Sequence, residues 1–135
     1  MGEHPNEAAT RKAFQAFTAG DMDGIGQFLT EDVVWHQGGA DALTGVYRGV
    51  DAVVGLLAKQ FELSDGTVRA ELLDVYATDD RTIAIERVTA TRNGRTLDTI
   101  VPLVFDGADG RAGEVWSHVF ADPATYAEFW GPPTG

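Results

Sequence analysis

The sequence predicts an α+β fold. Three short helices lead into a strongly curved antiparallel sheet with a mixed edge, which wraps around them, and a short helix closes the chain. Three features point this way. Apolar residues recur at helical spacing as far as Phe61, and the period changes to two after Ser64-Asp65-Gly66. Asn93-Gly94, the strongest hairpin signal in the chain, then separates two of the alternating runs. All 135 residues are expected to form one domain, with 1–6 and 131–135 as flexible tails. A chain of this length buries roughly 68–70% of its unfolded surface.

Residues 7–19 read as the first helix, with Phe14 and Phe17 on one face. Gly20 suits a left-handed stop, and Asp21 can cap a second helix over 22–29, whose buried face is Ile25, Phe28 and Leu29. Val33-Val34-Trp35-His36-Gln37 is a short strand ended by Gly38-Gly39, and Gly45-Val46-Tyr47-Arg48-Gly49 is another. A third helix follows, with Asp51 in its first turn and Val53, Val54, Leu57 and Phe61 as its apolar stripe. Residues 67–77, 82–92, 95–105 and 111–120 alternate as four long strands. Asp122-Pro123 opens the last helix, 123–130.

Composition narrows the partners. Formal net charge is −11, and so acidic a surface repels the phosphates of nucleic acid and anionic membranes, so neither is an expected partner. The chain has no cysteine, which excludes disulfides and thiolate chemistry. The first seven residues lack the basic start and apolar run of a signal peptide, and no stretch approaches the ~20 apolar residues of a membrane helix. A cytoplasmic location is the expectation. No His/Asp/Glu spacing suits a metal, and no GxGxxG or phosphate loop is present, so no metal and no nucleotide cofactor is expected.

Several segments in this order carry a resemblance. They are 17–23 (Phe-Thr-Ala-Gly-Asp-Met-Asp), 32–36 (Asp-Val-Val-Trp-His), Gly45-Val46-Tyr47-Arg48-Gly49, Asn93-Gly94-Arg95, Asp109-Gly110-Arg111, Glu114-Val115-Trp116 and 126–130 (Tyr-Ala-Glu-Phe-Trp). Together they resemble the SnoaL-like branch of the nuclear transport factor 2-like, ketosteroid isomerase-like superfamily. The resemblance implies a cone with an interior pocket and pairing through the outer sheet face into a homodimer. It implies no single activity, because the scaffold hosts isomerases, cyclases, hydrolases and non-catalytic members.

The chemistries of that superfamily fit this chain unequally. The base position of a ketosteroid isomerase falls on Gln37, its tyrosine near Ala13 and its acid near Val101 to Leu103, so that set is absent. Glu86-Arg87-Val88-Thr89 resembles the strand bearing Arg and Asp in limonene-epoxide hydrolases, with Thr89 where the carboxylate should be. SnoaL-type cyclases resemble the chain most closely, yet their last-strand acid and histidine correspond to Val115 and Ser117 around Trp116.

The candidate catalytic groups are therefore His36, as acid/base, with Asp98 or Glu86 as the carboxylate. Each has an alternative: His36 as a structural histidine, Asp98 as a solvated carboxylate, Glu86 facing outward. An inward Glu86 would have its pKa raised by desolvation. Trp35, Phe61, Phe105 and Trp116 are core or ligand platform, and Gln37, Tyr47 and Ser117 could position a ligand. Alternation places His118 and Glu114 on the outer face unless a bulge intervenes, and His118 joins the ligand-binding candidates on that condition. The leading reading is a cofactor-free cyclase- or isomerase-type enzyme acting on a small apolar, ring-sized metabolite. The rivals are a non-catalytic binding protein and a dimeric interaction module.

Overall fold

The computed structural model describes residues 4–118 and 121–133. Four helices, α1 (Pro5–Ala19), α2 (Met22–Phe28), α3 (Val50–Leu63) and α4 (Pro123–Trp130), accompany six strands. The strands are β1 (Leu29–Gln37), β2 (Gly45–Arg48), β3 (Arg69–Ala77), β4 (Arg81–Arg92), β5 (Arg95–Ala108) and β6 (Arg111–Ser117). They form one open sheet in the order β2-β1-β6-β5-β4-β3, antiparallel except for the parallel β1–β6 pair. The α+β class and a mixed sheet are as expected, with the parallel pair one strand in from the β2 edge. Residues 119–120 of the anticipated last strand lie outside the described residues.

Local chemistry sets the boundaries. Gly20 ends α1 in the left-handed conformation (φ 71°), and the Asp21 side chain accepts from Gly24 N at 3.0 Å to cap α2. The Asn93-Gly94 turn has φ of 51° and 77°, the two positive values a type I′ turn requires. Asp122 accepts from Ala124 N at the head of α4. Strand β1 starts at Leu29, four residues earlier than the Val33 expected from its β-branched run.

The N-terminus is not a tail from residue 4 onward. Asn6 is buried; its Nδ2 donates to Thr78 O and Asp79 O, and its Oδ1 accepts from Gly110 N at 3.0 Å. His4 Nε2 reaches Asp79 Oδ1 at 3.0 Å. Two turns of the sheet are thereby tied to the start of α1. At the other end Gly131 O accepts from Ala42 N at 3.0 Å, so residue 131 is held as well.

The concave face of the sheet packs on α1, α2 and α3 through Phe17, Ile25, Leu29, Val53, Leu57, Leu97, Phe105 and Val115. The curvature has a local cause between β5 and β6, where the register shifts between Asp106 and Gly107. A Cβ on Gly107 would stand 2.1 Å from Arg111 O, a backbone atom that cannot turn aside. Gly107→Ala is therefore expected to cost about 2 kcal/mol in urea denaturation, by prying the two strands apart at the bulge. Among the described residues, no helix is long and apolar enough to cross a membrane.

Candidate functional site

The cone holds a hollow of about 70 Å³. Its wall is largely apolar: Phe14 and Phe17 from α1, Ile25 and Phe28 from α2, Leu57 from α3, and Trp35, Leu103 and Phe105 from the sheet. Four polar side chains interrupt that wall: Gln60, Glu86, Ser117 and His118.

Strand alternation decides which candidates reach it. On β4 the buried positions are Thr82, Ala84, Glu86, Val88 and Ala90, so Glu86 points inward and Arg87 outward. Glu86 is 5% exposed, and no group among the described residues hydrogen-bonds its carboxyl. Burial pushes that carboxyl up to about 8. Tyr126 of α4 stands close enough to feel its charge. Burial is the main cause that moves the Tyr126 phenol up to about 12, opposed by its hydrogen bond with Thr99.

His118 breaks the alternation. Its φ of 62° is left-handed, so the residue after inward Ser117 also turns inward, and the outer-face placement read from parity is corrected. Its Nδ1 lies 2.7 Å from Ser117 Oγ and 3.0 Å from Gln37 Nε2, and its ring meets Tyr126 edge-on at 4.9 Å. Gln37 Oε1 in turn accepts from Trp35 Nε1 at 3.0 Å. Burial pushes the imidazole down to about 4, so at neutral pH it carries no charge.

Three other candidates sit elsewhere. His36 is on the convex face, its Nε2 2.7 Å from Glu114 Oε2 and its ring stacked on Trp116 at 5.4 Å, because inward Trp35 and Gln37 flank it. Asp98 is exposed between inward Leu97 and Thr99, and Arg87 grips both its oxygens at 2.8 and 2.6 Å. Trp116 alternates with inward Val115 and Ser117, so it faces outward too. The placement of these three in the pocket is thus corrected by the pleat itself.

Of the remaining candidates, Trp35, Phe105 and Ser117 line the hollow. Gln37 stands one layer behind it, supporting His118. Tyr47 is half-buried and donates its hydroxyl to Leu43 O at 2.6 Å, while Phe61 packs on Phe17 at 5.1 Å; neither is among the lining side chains. Gln60 escaped the sequence reading, although Val53, Leu57, Gln60 and Ser64 repeat at helical spacing and mark an inward stripe with a polar member. Among the described residues, no group of three or more His, Asp or Glu side chains could hold a metal ion.

Comparison with known proteins agrees with this architecture. The family model for the SnoaL-like domain matches residues 10–115. The chain belongs to the SnoaL-like family. An uncharacterized Mycobacterium tuberculosis protein is 39% identical over 121 residues, covering 89% of this chain and 92% of that one. The structure of Bal32a, from a soil-derived mobile gene cassette, superimposes with a TM-score of 0.87 at 32% identity, over 93% of this chain and 96% of Bal32a. TerC, co-crystallized with polyporic acid, shares the fold at 21% identity, with a TM-score of 0.75 over 84% of this chain and 89% of TerC.

Proposed function

We propose that this SnoaL-like protein is an acid–base enzyme that binds a small apolar cyclic metabolite in the hollow and moves a proton on it with Glu86. The Glu86 carboxyl carries the reading. It is buried without a protein partner among the described residues, facing an apolar hollow that it shares with a neutral histidine. A carboxyl so placed is costly to the fold, and none of the described contacts offsets the cost. With its proton lost near pH 8, about a tenth of the group is ionised at pH 7, enough for a general base poised close to its working range.

The hollow's size bounds the ligand. An apolar cavity of about 150 Å³ accommodates benzene, whereas this one measures about 70 Å³. A ring therefore enters with displacement of lining side chains, and the half-buried Phe14 and Phe28 are the least confined of the aromatic ones. That TerC, on this scaffold, was crystallized with polyporic acid supports small-molecule binding. The protein pairs as a homodimer through the convex face in this reading, where Ile100 stands exposed beside the Arg87–Asp98 pair and Ile83 and Tyr76 are exposed further along β4 and β3.

Exchange of the α-protons of cyclic ketones in D2O, followed by NMR, tests the enzyme. Wild type is expected to accelerate exchange, with a rate that rises about tenfold from pH 7 to 9 after subtraction of the solvent rate. Glu86→Gln is expected to lower it by about 10²-fold or more. His36→Ala and Asp98→Asn, on the other face, leave it within twofold. Ketones that bind without exchange in wild type would favour the non-catalytic binding protein, and exchange undiminished in Glu86→Gln would remove the carboxyl from the mechanism.

A further inference from the structure

The hydrogen bonds behind His118 have a direction that heavy atoms alone reveal. The Trp35 indole N–H can only donate, so the Gln37 atom 3.0 Å from it must be the carbonyl Oε1. That orients the whole amide. Its nitrogen, 3.0 Å from His118 Nδ1, has only protons to offer, so Nδ1 is the acceptor. The Ser117 hydroxyl, 2.7 Å from the same nitrogen, turns its proton to it as well. A neutral imidazole whose Nδ1 accepts carries its proton on Nε2. Nε2 has no hydrogen-bond partner among the described residues, while the ring lines the hollow.

We infer that Gln37, held by Trp35, locks His118 as an Nε2–H donor serving the hollow, and that the ligand is an apolar ring bearing an oxygen acceptor, a carbonyl or the oxyanion it becomes. The ligand class rests on the proposed function's reading of the hollow as the ligand site. The tautomer rests only on the chain of hydrogen bonds. Gln37 is a positioning residue: it reaches the ligand only through His118.

The lock has a consequence for selectivity. A ligand without an acceptor leaves the N–H buried and unpaired, whereas a carbonyl oxygen at that point satisfies it. A ligand that presents a donor there meets a second donor. Gln60 can rotate its amide to offer either polarity, so it does not choose between ligands. The left-handed backbone at His118 is part of the same device, because an extended residue after Ser117 would send the imidazole to the convex face.

The tautomer is read directly from ¹⁵N-histidine NMR of the ligand-free wild-type protein at pH 7, which needs no variant. His118 is expected to show the Nε2–H pattern, and an Nδ1–H pattern overturns the lock. Gln37→Glu supplies a carboxylate that accepts from both sides, and is expected to move a proton onto Nδ1. The ligand class is tested by titrating cyclohexanone and methylenecyclohexane, which share a shape and differ in the acceptor. The ketone is expected to bind about tenfold tighter to wild type, a preference that falls to within twofold in Gln37→Glu. Equal affinities, or no binding of the ketone, overturn the ligand class. Proton exchange alongside an Nδ1–H tautomer would sink this inference alone. An Nε2–H tautomer with the ketone preference but no exchange would sink the enzyme and leave the inference standing.

Discussion

Glu86→Gln is expected to abolish a fall in stability that wild type shows between pH 6.5 and 8. The carboxyl's folded value of about 8 lies above its usual 4.5, so between the two the folded chain keeps a proton that the unfolded chain has released. Stability from this group is fully present below pH 4.5 and is lost as pH rises toward 8. His118 works in the opposite sense. Its value falls from 6.5 to about 4, so its contribution is present above pH 6.5 and lost as pH drops toward 4. Between pH 4.5 and 6.5 the two slopes cancel, and the Glu86 decline stands alone from 6.5 to 8. With each pH unit worth about 1.4 kcal/mol, wild type loses roughly 2 kcal/mol over that interval. Relative to wild type, the Gln variant gains roughly 5 kcal/mol from pH 4.5 to 8. Urea denaturation of both proteins at half-unit pH steps measures the difference. Parallel curves would mean that Glu86 is already ionised in the folded state, which would also remove the poised base from the proposed reaction.

That the same residue dominates stability and proposed function has one physical origin. A carboxyl facing an apolar hollow is destabilised as an anion, which costs the fold above pH 4.5 and makes the group basic enough to take a proton from carbon. A water-filled cone would relax both effects together. A ligand that completes the apolar surroundings strengthens both.

How much of this was legible beforehand depended on whether local rules or pairwise geometry decided each point. The Asn93-Gly94 turn, the Gly20 stop and the caps at Asp21 and Asp122 are local, and each is found where its residues place it. Facing was harder on β5, where Leu97, Val101, Leu103 and Phe105 face in while Ile100, Pro102 and Val104 face out. With apolar residues on both faces the period-two signal vanishes, and Asp98 could be read either way. On β4 outward Ile83 and Ile85 imitate a core, which obscured Glu86 between Ile85 and Arg87. His118 was unreadable for a different reason. One left-handed residue reverses the parity of a strand end, and nothing in Trp116-Ser117-His118 announces a non-glycine in that conformation. Gln60, by contrast, is legible in the sequence: the inward stripe of α3 runs Val53, Leu57, Gln60, one residue before Phe61.

Gln37→Leu is expected to destabilise the protein by roughly 3 kcal/mol. The substitution puts an apolar side chain of similar size in a site that is 5% exposed, so lost packing is a small part of the effect. The larger part comes from two groups left behind. Trp35 Nε1–H, in a buried position, loses its only acceptor among the described residues, and His118 Nδ1 keeps Ser117 but loses the amide. A double-mutant cycle with His118→Phe separates the two. If the amide joins Trp35 to His118, removing the imidazole first makes Gln37→Leu cheaper by about 1 kcal/mol, because only the indole N–H then remains to be orphaned. Additive penalties in urea denaturation would show that Gln37 serves Trp35 alone. The inward turn of His118 would then owe its stability to Ser117 and to the edge-on Tyr126 ring.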